Sequence, residues 1–182
     1  YEFGSDFRLF NGQIDAGITY YHTSTKGQAI YAGIPISTGF SSYLINTGEV
    51  TNQGIETTLH LTPLRTNDWK VTVGGNYTFN DNVLKSLHPT LKTISINGSN
   101  VIYAVEGQSI NSIIVTDYKR DDQGRVIVDA NTGYPSQAAT AQNLGSTTPK
   151  YRLGLDLQVT YKDFTLTSLF EYRGGYKVAS IT

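Results

Sequence analysis

Residues 151–173 constrain the fold more than any other stretch of the chain. Read in twos they give Tyr151, Leu153, Leu155, Leu157, Val159 and Tyr161 on one face, against Arg152, Gly154, Asp156, Gln158 and Thr160 on the other. Only a pleated chain sends successive side chains to opposite sides, so the pattern predicts a strand over 151–161. Lys162 and Asp163 interrupt it, and it resumes over 164–173 as Phe164, Leu166, Ser168, Phe170 and Tyr172 against Thr165, Thr167, Leu169, Glu171 and Arg173. Two alternating runs that close together predict a hairpin with a very short turn.

Alternation alone does not say what lies against the apolar face, because a half-buried strand of a soluble sandwich alternates too. The distribution along the first strand favours lipid. Tyr151 and Tyr161 stand at its two ends with aliphatic side chains between them, the order expected where ring hydroxyls sit at headgroup level and the middle faces acyl chains. Arg152 and Asp156 on the opposite face suit a watery lumen. A membrane barrel is therefore the leading expectation, and a soluble sandwich the alternative.

Composition narrows the function classes. A net charge of -1 with 16% charged residues offers no clustered Lys and Arg for phosphate contact, so nucleic acid is not an expected partner. Without cysteine the chain has no disulfide framework and no thiolate metal site. There is no run of about 18 apolar residues, the length a membrane helix needs, which leaves a strand-built span open. The chain opens inside an alternating pattern and stops at Ile181 and Thr182, shortly after a strand, so it is expected to be part of a longer polypeptide, with no targeting segment to be sought here.

Further strands are predicted in order. Residues 2–10 alternate Phe3, Ser5, Phe7 and Leu9 against Glu2, Gly4, Asp6 and Arg8, and Asn11-Gly12 follows as a two-residue hairpin turn, because both residue types accept positive φ. The next strand covers 13–23 and continues raggedly toward Tyr31. A third covers 55–62 and ends at Pro63, since proline cannot donate to a ladder. The fourth, 69–80, carries Trp69 at one end and Tyr77 and Phe79 at the other. Gly74-Gly75 within it is expected to mark a bend. Between these strands, 33–54 and 84–149 read as long loops, the second with small hairpins and a tight turn at 121–124. Connections therefore alternate short and long, as in outer-membrane barrels with tight periplasmic turns and long extracellular loops. The expected fold is all-β: about six strands of an antiparallel transmembrane β-barrel.

Several stretches resemble a known family. The run ISTGFSSYLINTGEVTNQGIE at 36–56, LTP at 61–63, DAN at 129–131, LGSTTPKY at 144–151 and FEYRGG at 170–175 are similar, in order and spacing, to the barrel of the SusC/RagA family of TonB-dependent outer-membrane transporters. The resemblance implies a barrel of about 22 strands with a plugged lumen, of which this chain would be an interior portion without plug, TonB box or final strand. It also implies a SusD-like lipoprotein lid, a TonB complex supplying energy, outer-membrane lipid around the barrel, and a glycan or peptide cargo. The location implied is the outer membrane of a Bacteroidetes-type bacterium. The alternative is a soluble all-β binding or adhesion module of a surface protein, which would remain monodisperse in buffer without detergent. The family's acidic turn is replaced here by DDQGR at 121–125.

Residue types give little support to catalysis, so no enzyme, metal or cofactor is expected. His22, His60 and His88 are scattered, without the spacing that converges ligands on a metal. His60 is expected on the lumenal face near Glu56 and Thr58. Asp117, Asp121, Asp122 and Asp129 lack the alternating oxygen ligands of a calcium loop. Ser41 and Ser42 have no strand-turn-helix elbow around them. Recognition is expected in the long loops, because loops on a rigid scaffold carry variable chemistry. Tyr43 and Asn46 in the first, and Tyr103, Asp117, Tyr118 and Tyr134 in the second, are the candidate contacts for substrate or lid.

Overall fold

In the computed structural model, which describes residues 1–46, 48–88, 91–96 and 99–179, the main body is one six-stranded antiparallel sheet. Its strands are β1 (Glu2–Leu9), β2 (Ile14–Lys26), β5 (Glu49–Arg65), β6 (Trp69–Ser86), β11 (Tyr151–Tyr161) and β12 (Phe164–Gly174), in the spatial order β1-β2-β5-β6-β11-β12. Every neighbour is antiparallel. The chain's expected stop at Ile181 and Thr182 lies outside the described residues.

Register makes the two faces continuous across all six strands. Phe7, Ala16, Leu59, Gly75, Leu155 and Phe170 form one outward row, and Leu9, Ile14, Leu61, Val73, Leu157 and Ser168 the next. The row Phe3, Tyr20, Ile55, Phe79 and Tyr151 closes the band at one end. Trp69, Tyr161 and Phe164 close it at the other. Rings touch within both closing rows: Phe79 and Tyr151 lie 5.6 Å apart, Trp69 and Tyr161 4.5 Å. From Tyr151 to Tyr161 is ten residue steps. At about 3.4 Å per step and about 40° of tilt they rise roughly 26 Å, the height of a lipid-facing band.

No second sheet covers this face among the described residues. Ile18, Val73 and Leu155, in the middle of the band, remain 49%, 43% and 50% exposed. A sandwich would bury those three positions against an opposing layer.

The short connections differ in detail from expectation. At the first, Asn11 (φ 53) and Gly12 (φ 78) sit in the left-handed region, and the Gln13 N–H donates to the Phe10 carbonyl at 3.1 Å. The strand ends one residue early because Phe10 also takes a positive φ, 52. Pro63 does not end its strand. β5 runs on to Arg65 past an irregularity between Leu61 and Leu64, which pair with Val73 and Val71. Three residues on β5 answer two on β6, so the extra residue forms a bulge that accommodates a proline without its N–H.

The long connections are folded. From 27 to 48 the chain makes a hairpin, β3 (Ala29–Gly33) with β4 (Ser42–Asn46), and β5 already begins at Glu49, so the expected loop 33–54 is mostly strand. Between 87 and 150 lie β7 (Thr93–Ser95), β8 (Ile102–Val105), β9 (Ser112–Tyr118) and β10 (Gln137–Ser146), a sheet in the order β10-β9-β8-β7. The sparsely apolar tract 131–149 thus contains a ten-residue strand. β10 is an edge strand held through its backbone to β9, with two register irregularities along its length, and such pairing leaves little hydrophobic period to read. The stretch 125–128 contributes only isolated bridges, Arg120 to Val126 and Val128 to Pro135.

The hydrophobic core lies here, beyond the aromatic row. Leu84, Leu87, Val50, Ala104, Ile94 and Ala32 pack together, with Leu84 and Leu87 essentially inaccessible. Val50 and Leu84 come from the extensions of β5 and β6 above the band; Ala32 comes from the hairpin; Ile94 and Ala104 come from the second sheet. The six-stranded wall needs no such core because its apolar face is turned outward.

Candidate functional site

The inward face of the wall is a sheet of polar side chains in register. One row runs Arg8, Asp15, His60, Gly74, Asp156 and Leu169; the next runs Asp6, Gly17, Thr58, Asn76, Gly154 and Glu171. Arg8 Nε lies 2.7 Å from Asp15 Oδ1, and His60 Nε2 is 3.5 Å from Asp156 Oδ1. Gly74 stands between the last two. A Cβ there would collide with the His60 ring and the Asp156 carboxylate, so the glycine clears the path across β6. His60 faces inward as anticipated, but its partner lies far off in sequence on β11.

Above the aromatic row, polar contacts tie the wall to the folded loop layer. Asn82 Nδ2 donates to Asn52 Oδ1 at 2.8 Å, and Asn82 Oδ1 accepts the Ile110 N–H at 3.0 Å. Lys150 Nζ lies 2.9 Å from Asp81 Oδ1. The first of these joins β5 to β6, and the last joins β6 to the residue before β11. The Ile110 bond, with the Leu84 N–H donating to the Gln108 carbonyl and the Gly107 N–H to the Leu84 carbonyl, both at 2.8 Å, seats the loop layer on the end of β6.

Two clefts in that layer take in the expected contact residues unequally. Tyr103 lines one of about 650 Å³, together with Tyr31, Ser41, Ser42, Ser99 and Asn100. Tyr103 Oη donates to the Asn100 carbonyl at 3.5 Å. The cleft exists because an isolated bridge joins Ala32 of β3 to Ile96 and brings the two long connections side by side. Asp117 and Tyr118 line a separate cleft with Lys119, Arg120 and Gln142. Tyr43, on β4, and Asn46, at its end, are exposed and line neither cleft. Tyr134 is exposed at the 129–134 turn, where its carbonyl accepts the Asp129 N–H at 2.9 Å. The six residues are therefore not one site. Tyr31, Ser99 and Asn100 went unanticipated, since nothing in their local pattern says which distant segment they meet.

The acidic residues of 117–129 are engaged locally. Asp121 accepts the backbone N–H groups of Gln123 and Arg125, both at 2.9 Å, and Arg125 Nε at 2.8 Å. Asp129 accepts the N–H groups of Asn131 and Thr132 at 2.9 Å. Asp117 accepts the Tyr118 N–H at 2.7 Å and lies 3.5 Å from Arg120. Hydrogen bonds to the charged form hold all three carboxyls below their ordinary range, led by the N–H of Arg125 for Asp121, of Thr132 for Asp129 and of Tyr118 for Asp117. Among the described residues no three of these groups gather as a metal site would require.

Comparison with known proteins accounts for the arrangement. A family model described as TonB dependent receptor-like, beta-barrel, matches residues 1–176. TonB-dependent receptor P3 of Formosa agariphila is 21% identical over the full chain, which covers 20% of that protein. TonB-dependent receptor SusC of Bacteroides thetaiotaomicron is 32% identical over 85 residues, 46% of this chain and 8% of that protein. In fold, the chain matches a solved structure of the RagAB peptide transporter with a TM-score of 0.75 over 96% of its length, at 24% identity, and covers 20% of that chain. It thus spans about a fifth of the length of the full proteins it matches end to end. With an apolar band outside, a polar wall inside and this match along nearly every residue, the chain belongs to the TonB dependent receptor-like β-barrel family and corresponds to a segment of a SusC/RagA-type barrel.

Proposed function

We propose that the protein carrying this segment is a transporter of the outer membrane of a Bacteroidetes-type bacterium, importing oligosaccharides or peptides with energy supplied through TonB. The observation that carries the reading is the outward apolar band between its two aromatic rows, backed by a polar inward face that sets Arg8 against Asp15 and His60 against Asp156. That division places lipid on one side and a watery path on the other. The short turns then face the periplasm and the folded loop layer stands outside the cell. A SusD-like lipoprotein closing over this layer is part of the same reading, with Tyr43, Asn46 and Tyr134 as exposed contact candidates and Tyr103, Asp117 and Tyr118 lining clefts. The segment works without chemistry of its own: it forms wall and mouth, and transport is conformational.

Uptake by cells tests this directly. Deletion of the full-length gene should abolish growth on the cognate oligosaccharide or peptide, complementation should restore it, and a strain lacking TonB should resemble the deletion. The lipoprotein should co-purify with the full-length protein in detergent. Solubility of the full-length protein in buffer alone would favour the adhesion reading instead. Deleting residues 131–149 would not isolate the role of a loop, because it removes β10 from the second sheet.

A further inference from the structure

Among the described residues, the cleft between the two long connections is lined without a single Asp, Glu, Lys, Arg or His. That absence extends to the segments that build it. From 27 to 48, and again from 93 to 105, the sequence contains no Asp, Glu, Lys, Arg or His. The charges appear immediately at the roots. Lys26 Nζ lies 3.9 Å from Glu49 Oε2 at the base of the first hairpin, and Lys92 Nζ lies 2.8 Å from Glu106 Oε2 at the base of the second. Each root thus carries a pair of opposite charges and not a lone one. The neighbouring clefts differ: one holds Asp117, Lys119 and Arg120, another Asp81 and Lys150.

What remains in the cleft is ring faces, neutral hydrogen-bonding groups and the aliphatic surface of Ile34, Pro35 and Ile36. Tyr31 is 56% exposed. Among the described residues, the side-chain groups of Tyr31, Ser41, Ser42 and Asn100 make no hydrogen bond within the protein. Ser99 is spent differently, its Oγ accepting the N–H groups of Val101 and Ile102 at 3.1 and 3.0 Å to hold the turn that presents Asn100. A hydroxyl or amide both donates and accepts, and a phenol ring offers a flat apolar face beside its own hydroxyl. The matching ligand has hydroxyls around its edge, C–H groups on its face and no formal charge. A volume of about 650 Å³ is within the range of small-molecule sites.

We propose that this cleft binds a neutral oligosaccharide, with Tyr31 and Tyr103 as stacking platforms and Ser41, Ser42 and Asn100 as hydroxyl partners, and that it discriminates against uronic or sulfated sugars and against peptides with charged ends. A charged ligand would lose hydration on entering and find no counter-charge to replace it. The proposal rests on the import reading for its biological setting, but binding is measurable without transport.

The test uses the full-length protein in detergent and isothermal titration with defined probes: neutral gluco-, manno- and xylo-oligosaccharides, oligogalacturonate, and an unblocked peptide. At least one neutral series should bind, Tyr31→Ala and Tyr103→Ala should each weaken it by about tenfold or more, and Tyr103→Phe should retain binding because the ring stays. Asn100→Lys should admit oligogalacturonate. Heat-modifiable mobility on gels verifies that each variant still forms a barrel. Binding of oligogalacturonate or peptide that the tyrosine substitutions abolish would overturn the proposal, as would a lack of neutral-sugar binding or neutral-sugar binding indifferent to both tyrosines. Those failures leave import itself untouched, since import fails only if uptake is independent of TonB.

Discussion

Gly74 shows how a residue can be marked as special by the sequence while its contacts are legible only in the structure. Its position within a strand marks it as a place where a side chain is unwelcome, but the obstacle is the His60–Asp156 contact crossing over it. Gly74→Ala should therefore separate that pair and lower stability by about 1–3 kcal/mol, seen as a lower midpoint in urea unfolding of the full-length protein in liposomes. Asp156→Asn combined with Gly74→Ala should cost less than the sum, because both act on one contact. The carboxylates of residues 119–136 make a second residue-scale prediction. Asp121 and Asp129 keep their charge to lower pH when folded than when unfolded, so their contribution is complete above the unfolded value of about 3.9. It should fade as the pH drops from there through the depressed folded values. Hydrogen exchange in 119–136 should be constant above about pH 5 and rise, relative to the intrinsic rate, only in that acid window.

Among the elements, the wall strands were legible and the loop strands were not. β11 and β12 could be read because one face meets lipid and the other water, which imposes strict alternation on every residue. β10 faces neither a core nor lipid along its length, so nothing imposes a period, and only its pairing with β9 reveals it. Pro63 misled for a related reason, since a proline ends a ladder only where its N–H is needed and a bulge removes that need. Thr58 and Leu59 provide a direct test of the two faces. They are adjacent on β5 and lie at similar depth, but register places Thr58 inward and Leu59 outward. Leu59→Arg should destabilise the protein in liposomes by about 2–4 kcal/mol, whereas Thr58→Arg should be tolerated. Equal effects would contradict the assignment of lipid and lumen.

At the scale of the whole molecule, hydrophobic residues serve two separate purposes. In the wall they form an outward band that lipid covers. In the loop layer they form a small conventional core around Leu84 and Leu87. The two should fail independently. Leu84→Ala should cost about 2–5 kcal/mol locally, appearing as faster proteolysis within 87–149, while barrel formation in the membrane is preserved. The layer's stability matters for function because the cleft beside Tyr31 and Tyr103 depends on two connections held together through Ala32 and Ile96. Loosening that core should weaken ligand capture before it affects insertion, a sequence of losses that binding and gel mobility measure side by side.

The amino-acid order by itself determined the strand count of the wall, the face presented by each residue of its lipid-facing band, and the alternation of short and long connections. These follow from local rules: a period of two, turn residues with positive φ, and aromatic ends. The tertiary structure alone decided that the long connections are folded, that His60 meets Asp156 over a glycine, and that two uncharged segments far apart in the chain enclose one cleft. Such pairings depend on the register between distant strands and on which side of the sheet each connection leans. No local pattern carries that information, because the same residues would satisfy the same local rules with any neighbour.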